Sequence, residues 1–281
     1  MNKSRANQVH EAGFFRQSST IWQVDREMAL LIAGGRALLM QVAHPKVAAG
    51  VAQHSRFQED PLARLHRTMN AMWSIVFDEK TPARAALQRI EQVHARVQGR
   101  VERGEPSFAG ASYDATDQEL LLWVHATLID SAIVGYEDFV APMTLAQKSA
   151  YYEDSKELAA LFGIREKLIP KSVDDFGAYV NRTIAGDETA VGATARALAR
   201  EILYARPWIF KLAGPLFRFV TIGLLPEKLR EKYGLEWSDR RGKSFASFTK
   251  MIRTIRPLMP AVIRIVPHAR RAEKANLANS G

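Results

Sequence analysis

One histidine interrupts the apolar stripe of a predicted helix. Thr81 followed by Pro82 is typical of an N-cap and a proline in the first helical turn, and Gly99 is typical of the residue just past a helix end. The apolar stripe of this helix consists of Leu87, Ile90, His94 and Val97. The imidazole therefore points inward, where an unpartnered nitrogen is costly. His94 is either a core histidine bonded to a carbonyl or a ligand to a buried metal or haem iron.

Two polar side chains on the preceding helix could act beside such a ligand. Arg64 and Thr68 are one turn apart and project from one side, which borders the stripe of Leu65, Met69 and Met72. We therefore expect both to be at least half buried. They are either a helix-surface arginine with a structural threonine, or a cationic fork and a hydroxyl that hold an anion, a propionate or a polarised oxygen.

A second group of histidines offers a different metal chemistry. His44, His54 and His66 lie near Glu59 and Asp60, and non-haem iron or zinc takes two or three such ligands. Their spacings of ten and twelve residues match no compact ligand motif. Another histidine, His125, lies on an apolar helix and is predicted to be a core residue. The sequence contains no glycine-rich phosphate loop and no G-x-S-x-G nucleophile motif.

The composition narrows the chemistry further. The chain has no cysteine, which excludes a disulfide scaffold, thiolate ligation of haem, cysteine-bound iron–sulfur clusters and a cysteine nucleophile. The first twenty residues contain no apolar signal-peptide region, and no run of about 18 uncharged apolar residues predicts a transmembrane helix. We therefore expect a cytoplasmic protein. The sequence does not specify its oligomeric state.

The positive charge is concentrated at the C-terminus. Residues 239–281 contain ten Lys or Arg and two acidic residues, whereas residues 1–238 contain 29 basic and 28 acidic residues. A nearly neutral body argues against a nucleic-acid-binding core, so no nucleic-acid partner is predicted.

Hydrophobic periodicity predicts helices almost throughout. The predicted helices span about residues 24–42, 46–54, 61–77, 82–98, 117–140, 145–162, 174–184 and 190–204. Two of them, 24–42 and 117–140, are apolar on nearly all sides and are predicted to be central and buried. Gly34 and Gly35 suggest close approach of another helix or a flat ligand, and Thr116 to Glu119 form a predicted capping box. With few strand patterns, the fold class is all-α, a single globular helical domain.

The basic C-terminus also contains an amphipathic helix. Phe245, Phe248, Ile252 and Ile255 lie on one side, and Lys243, Lys250 and Arg253 on the other. Such a helix either rests on an anionic membrane surface or packs on the body with a solvated basic face. The tail after Pro267 is predicted to be mobile. The chain is thus divided into an N-terminal extension (1–20), a helical domain (21–238) and a basic helix and tail (239–281).

Several motifs together resemble a known family. The segments LLMQVAHPKVAAGVAQHSRF, DPLARLHRTM, VHARVQG, the Tyr113-Asp-Ala triplet and LLLWVHATLIDSAI resemble the bacterial latex-clearing protein (rubber oxygenase) and mycophenolic-acid-pathway oxygenase family. The segments YYED, LFGI and LPEKLREKYGLEW resemble its less-characterised bacterial members, and the likeness covers about residues 20–240.

The resemblance implies an all-α protein that carries haem b and cleaves carbon–carbon double bonds with dioxygen. The axial iron ligand in that family is a histidine in an H-x-x-V-x-G setting, which matches His94, Val97 and Gly99. An R-x-x-x-T motif near the distal pocket matches Arg64 and Thr68.

Two positions differ from the rubber-cleaving members. Arg67 replaces a lysine that can occupy the sixth iron site, and a guanidinium stays protonated and cannot ligate iron in that way. No acidic residue lies a few turns before Arg64, where those members place a catalytic carboxylate.

The sequence thus predicts a haem b-dependent oxidoreductase of the oxygenase type. His94 is the predicted axial ligand of the iron. Arg64 and Thr68 are the predicted catalytic residues, which stabilise bound oxygen or a haem propionate, and together with Arg67 they are predicted to bind the haem. The substrate is predicted to be an apolar isoprenoid or aromatic molecule. The alternatives are a non-catalytic haem-binding or haem-sensing protein, and a non-haem metal enzyme that uses His44, His54 and His66.

Overall fold

The fold is almost entirely helical, as predicted. A computed structural model describes residues 12–54, 61–204 and 210–279; within helix 61–77 the side chains are described from Arg67 onward, within helix 210–224 from Ala213 onward, and at the C-terminus up to Leu277. Over these residues the chain forms fourteen α-helices, three short 3₁₀ helices and one two-stranded antiparallel sheet. The prediction of an all-α, single-domain fold is confirmed.

The elements are numbered in chain order. The helices are α1 (Thr20–Asp25), α2 (Gly34–Val42), α3 (Pro45–His54), α4 (Pro61–Phe77), α5 (Lys80–His94), α6 (Gln118–Phe139), α7 (Leu145–Leu161), α8 (Val173–Ala185), α9 (Ala193–Leu203), α10 (Phe210–Leu224), α11 (Glu227–Tyr233), α12 (Asp239–Ile255), α13 (Ala261–Arg264) and α14 (Pro267–Asn279). The 3₁₀ helices are Met28–Ala33, Glu166–Leu168 and Arg256–Leu258. The strands are β1 (Gln98–Arg100) and β2 (Ser112–Asp114), which pair with Gly99 opposite Tyr113.

Helix α6 is the central helix of the core. It packs against α2, α7, α8, α12 and the 3₁₀ helix Met28–Ala33, and its side chains Trp123, Ile129 and Ile133 are buried. Among the described helices α6 alone is long and apolar enough to cross a membrane, but 56% of its most apolar window is buried inside the protein. Its composition is therefore that of a core helix.

The start of α6 differs in detail from the predicted capping box. The N-cap is Asp117, whose carboxylate accepts hydrogen bonds from the backbone N–H groups of Glu119 and Leu120. Thr116 instead donates its hydroxyl and its backbone N–H to Asp114. An aspartate is as good an N-cap as threonine, so the competing bond to Asp114 shifts the helix start by one residue.

The predicted helix over residues 24–42 is wrong as a continuous element. Helix α1 ends at Asp25, Glu27 is extended, and a 3₁₀ helix then leads into α2. The break places the buried Glu27 carboxylate against Arg256 and pairs the Glu27 backbone with Ile265. These tertiary contacts outweigh the helical preference of the apolar sequence.

The glycine pair is explained by close helix packing. A Cβ on Gly35 would lie 2.9 Å from the Phe217 ring of α10, while a Cβ on Gly34 would meet nothing within 4 Å. Of the two expectations for this pair, the approach of another helix is the one that the structure shows.

The apolar side of α12 packs on the body. Phe248 lies edge-on to Phe139 of α6, and Phe245 and Phe248 both contact Phe219 of α10. Ile252 belongs to the same cluster. Three of the four residues of the predicted apolar face are therefore covered by protein, while Ile255 at the end of α12 is exposed.

The prediction of a mobile tail after Pro267 is also wrong. These residues form α14, in which Ala269 is fully buried and His268 bonds to Asp78. Glu273 accepts hydrogen bonds from the Trp22 indole and from Arg26. The division of the chain at residues 20 and 238 stays a prediction.

Candidate active site

An antiparallel helical hairpin brings the predicted site residues to one end. Helices α4 and α5 pack along each other and are joined by two residues only. At a rise of about 1.5 Å per residue, His94 lies roughly 21 Å from the start of α5, a distance that leads back along α4 to about its third residue. His94 is therefore level with the first turn of α4, which contains Arg64. Arg67 and Thr68 follow one turn further along.

The polar side of α4 is more open than expected. Arg67 and Thr68 are exposed, so the expectation that Thr68 is at least half buried is wrong. The buried part of α4 is its C-terminal end, where Ile75, Val76 and Phe77 enter the core. The side chains of Arg64 and His66 lie outside the described residues.

His94 has no hydrogen-bond partner among the residues that the structure describes. The side chain is half buried, and desolvation lowers its pKa below the usual value. Within the described residues its ring makes no hydrogen bond, so the carbonyl-bonded core histidine expected as one alternative is not what the structure shows. A neutral ring with a free lone pair is the form that ligates a metal.

Helix α5 ends at His94, four residues earlier than predicted. Leu87 and Ile90 are partly buried, as the stripe requires. Val97 lies beyond the end of the helix, and its backbone N–H donates to the His94 carbonyl. The helix also begins at Lys80, with Glu79 rather than Thr81 at the N-cap. Gly99 is not a helix terminator but the central residue of β1, because the chain immediately pairs with β2.

Gly99 makes room for a set of hydrogen bonds that holds β1. A Cβ on Gly99 would lie 2.6 Å from the Tyr113 hydroxyl and 2.7 Å from Gln53 Oε1. The Tyr113 hydroxyl donates to Gln53 Oε1 at 2.7 Å, and Gln53 Nε2 donates to the Arg100 carbonyl at 2.9 Å. His54 Nε2 donates to the Gln98 carbonyl at 3.0 Å. We call these contacts between the end of α3 and the hairpin the α3–hairpin clamp.

Val97 completes the attachment through packing. It joins a small apolar cluster with Ala49, Val101, Tyr113 and Leu120. A Cβ on Gly50 would be only 3.4 Å from Val97. The spacing of histidine, valine and glycine after α5 thus fixes the position of the helix end that carries His94.

Sequence reasoning missed the two side chains at the centre of this clamp. Gln53 and Tyr113 are separated by 60 positions, and neither belongs to a motif with an obvious chemical role. The Tyr113 triplet contributed to the family resemblance. The only related signal in the sequence is Gly99, the strand partner of Tyr113, which lacks the side chain that would collide with the Tyr113 hydroxyl.

His44 has a structural role in the described part of the chain. It is buried and stacks on Phe108 with 5.2 Å between ring centroids, and its Nδ1 accepts the Lys46 backbone N–H. Desolvation, then the Lys46 charge, lowers its pKa to about 4. Phe108 is held with a φ of 58°, and the Lys46 ammonium lies 5.1 Å from its ring.

The described residues form no cluster of side chains that would support a non-haem metal site. Among the residues that the structure describes, no three His, Asp or Glu side chains come together as a metal site. The His44 and His54 rings each have another partner, and the His66 side chain lies outside the description. His125 is the core histidine that was predicted: it is buried, it bonds to the Ser155 backbone, and desolvation lowers its pKa to about 4.

A charged cleft lies elsewhere on the molecule. It has a volume of about 550 Å³ and lies between α11 and the start of α12. Its lining includes Glu227, Arg230, Glu231, Asp239 and Lys243. Such a lining does not suit an apolar molecule, so this cleft is not the predicted substrate site.

Comparison with known proteins identifies a family. Residues 22–254 match the family described as "ER-bound oxygenase mpaB/B'/Rubber oxygenase, catalytic domain". The chain is 25% identical over 238 residues to the uncharacterized protein Mb2261 of Mycobacterium bovis, and equally to the uncharacterized protein Rv2237 of Mycobacterium tuberculosis. Each alignment covers 82% of this chain and 88% of the relative. No solved structure matches it significantly.

Proposed function

The chain belongs to the mpaB and rubber oxygenase family, and on that premise we propose that it is a haem b-dependent oxygenase. It acts with dioxygen on an apolar small molecule, isoprenoid or aromatic. The observation that carries the proposal is the state of His94: a half-buried imidazole, neutral because it is desolvated, with no hydrogen-bond partner among the described residues. The cytoplasmic location of the protein stays a prediction.

The residues present fit a haem. The chain has no thiolate to offer, so a histidine is the natural axial ligand. An inward imidazole with no hydrogen-bond partner among the described residues has a nitrogen lone pair that can bind a metal ion. Two arginines, Arg64 and Arg67, lie on the facing helix and suit the carboxylates of haem propionates.

The protein's own contribution is to bind, orient and exclude water. Bound haem iron supplies the activation of dioxygen. His94 binds through one ring nitrogen, and the α3–hairpin clamp holds the helix end on which it lies. Arg64 and Thr68 would donate hydrogen bonds to a haem propionate or to the polarised oxygen of the substrate. The apolar helices around α6 keep water from the core side.

A spectrum of the purified protein tests the proposal. Wild type from haem-supplemented cells should show a Soret band at about one haem per chain, and His94→Ala should lose it. Val93→Ala is the matched control, because Val93 is adjacent and 61% exposed and should leave the band unchanged. A full Soret band in His94→Ala would remove the ligand assignment.

A non-catalytic haem-binding or haem-sensing protein is the second candidate. The observation that favours it is the exposure of Arg67 and Thr68, which leaves this side of α4 less enclosed than an oxygenase pocket. Product formation from an added alkene under dioxygen separates the two functions, because a binder gives a spectrum and no product. The non-haem alternative instead requires metal content that survives His94→Ala and disappears when His44, His54 and His66 are replaced.

We also propose peripheral contact with a membrane as the route to an apolar substrate.

A further inference from the structure

An unusual run of exposed apolar residues follows α12. Leu258 is 84% exposed, and Val262 and Ile263 are each 58% exposed. Exposed prolines flank Leu258, and Met251 and Ile255 expose one side of the last turns of α12. Large exposed apolar side chains scattered singly need no explanation, but five within thirteen residues form a patch. We call Met251, Ile255, Leu258, Val262 and Ile263 the apolar ridge.

Contacts with Arg26 and Glu27 hold the ridge at its middle and just after its end. Between Ile255 and Leu258, Arg256 Nε donates to the Glu27 carboxylate at 2.9 Å. After it, Ile265 and Val266 are buried, Ile265 bridges to Glu27, and the Val266 N–H donates to the Arg26 carbonyl at 2.9 Å. The apolar side chains are therefore displayed by a fixed segment, which lowers the entropy lost when they bind a surface.

The ridge lies within a segment that carries only positive charge. Residues 240–272 contain nine basic side chains and no Asp or Glu. They are Arg240, Arg241, Lys243, Lys250, Arg253, Arg256, Arg264, Arg270 and Arg271. Arg256 is paired with Glu27, while Lys250 and Arg271 are exposed. A segment that combines exposed apolar side chains with basic residues matches the acyl boundary and the anionic headgroups of a lipid surface.

We propose that the apolar ridge is a docking surface for an anionic lipid bilayer. A second copy of the chain fits less well, because a two-fold contact would bring this positive segment against itself and like charges would face each other. The contact does not depend on haem or on turnover. It would place the protein where apolar molecules are concentrated.

Flotation with lipid vesicles tests the proposal. The probes are vesicles of phosphatidylcholine alone and of phosphatidylcholine with phosphatidylglycerol. The full-length wild-type protein should float with the anionic vesicles and much less with the neutral ones, and added salt should weaken the binding. The variant Leu258→Asp/Ile263→Asp should lower the bound fraction about tenfold by removing the insertion of two apolar side chains.

Leu277→Asp provides the matched control. Leu277 is 76% exposed on α14 but lies outside the ridge, so this variant should bind vesicles like wild type. Circular dichroism and the Soret band of each variant show whether folding and haem content are unchanged. Wild type that stays unbound to anionic vesicles, or a ridge variant that binds like wild type, would overturn the proposal. Light scattering that shows a dimer lost in the ridge variant would assign the ridge to self-association instead.

Discussion

At the scale of single residues, the molecule uses the absence of a side chain as much as its presence. Gly99 leaves the space in which the Tyr113 hydroxyl reaches Gln53, and Gly35 leaves the space for α10. His94 is the proposed haem ligand in this region. Its position depends on neighbours that touch no ligand.

Gly99→Ala should lower the free energy of unfolding by about 1–3 kcal/mol, because the added methyl overlaps the Tyr113 hydroxyl and Gln53 Oε1. Urea unfolding followed by circular dichroism measures the change. Gly104→Ala is the control, since a Cβ there meets nothing within 4 Å and alanine restricts the unfolded chain. Equal stability of the two variants would show that the clamp does not restrict residue 99.

Asp25 should make stability depend on pH. Desolvation raises its pKa from 3.8 to about 7, with the Tyr151 hydroxyl bonded to it at 2.9 Å and the Asp154 charge nearby. The native state then keeps a proton that the unfolded state releases between about pH 4 and pH 7. The contribution of Asp25 is fully present below pH 4 and is lost as the pH rises through 7.

The variant Asp25→Asn isolates this contribution. Urea unfolding at pH 5 and pH 7.5 should show a smaller loss of stability with rising pH in the variant than in wild type. Asp114→Asn, at an exposed carboxylate whose hydrogen bonds with Thr116 lower its pKa, should keep the wild-type loss over this interval. Identical pH slopes for wild type and Asp25→Asn would contradict the assignment.

At the scale of elements, sequence periodicity was sufficient for most helices. The predicted helix over residues 61–77 has the observed bounds of α4, and α3, α7, α8 and α9 differ from prediction by a few residues. These helices combine a clear apolar stripe with caps or prolines that are local in sequence. Local patterns determine such elements, so one sequence is enough to find them.

The elements that were missed depend on distant partners. The break at Glu27 requires Arg256, and the β1–β2 hairpin requires Gln53 of α3. For the same reason the sequence indicated His94 as the key residue but placed the end of its helix four residues too late. Patterns within α5 contain nothing about the strand that competes for residues 98–100.

The pair of Glu27 and Arg256 should be the strongest test of this long-range control. Arg256→Met leaves the Glu27 carboxylate buried without its partner and should lower the free energy of unfolding by about 2–3 kcal/mol. Denaturant unfolding measures the loss, and Lys250→Met, on an exposed side chain of α12, is the control. The double variant Glu27→Gln/Arg256→Met should recover part of the loss. No recovery would show that Arg256 acts through packing rather than through the ion pair.

At the scale of the whole molecule, the basic C-terminal region completes the fold. Helix α12 covers an aromatic cluster, and α14 returns to α1 and to the α4–α5 connection through Glu273 and His268. The sequence showed the charge of this region but not its attachment, because its partners are up to 251 residues away in the chain.

A variant that ends at Val266 should therefore be less stable than wild type by at least ~2 kcal/mol, since it removes buried Ala269 and the bonds of His268 and Glu273. Thermal unfolding gives the comparison. Leu277→Ala, at an exposed position of the same helix, should change stability by less than about 0.5 kcal/mol. A truncated protein as stable as wild type would support the sequence-based prediction that the tail after Pro267 is mobile.

The α3–hairpin clamp holds the helix end that carries His94, and it does so independently of the packing between α4 and α5. Because α5 stops at His94, a small slide of β1 along α3 would swing the imidazole while the packing of α4 against α5 stayed as it is. For the proposed haem ligand His94, substitutions at Gln53 or Tyr113 would then change the affinity for iron although neither side chain contacts the iron. Relatives that keep this histidine but differ in the sequence of the hairpin would then differ in how strongly the histidine binds iron.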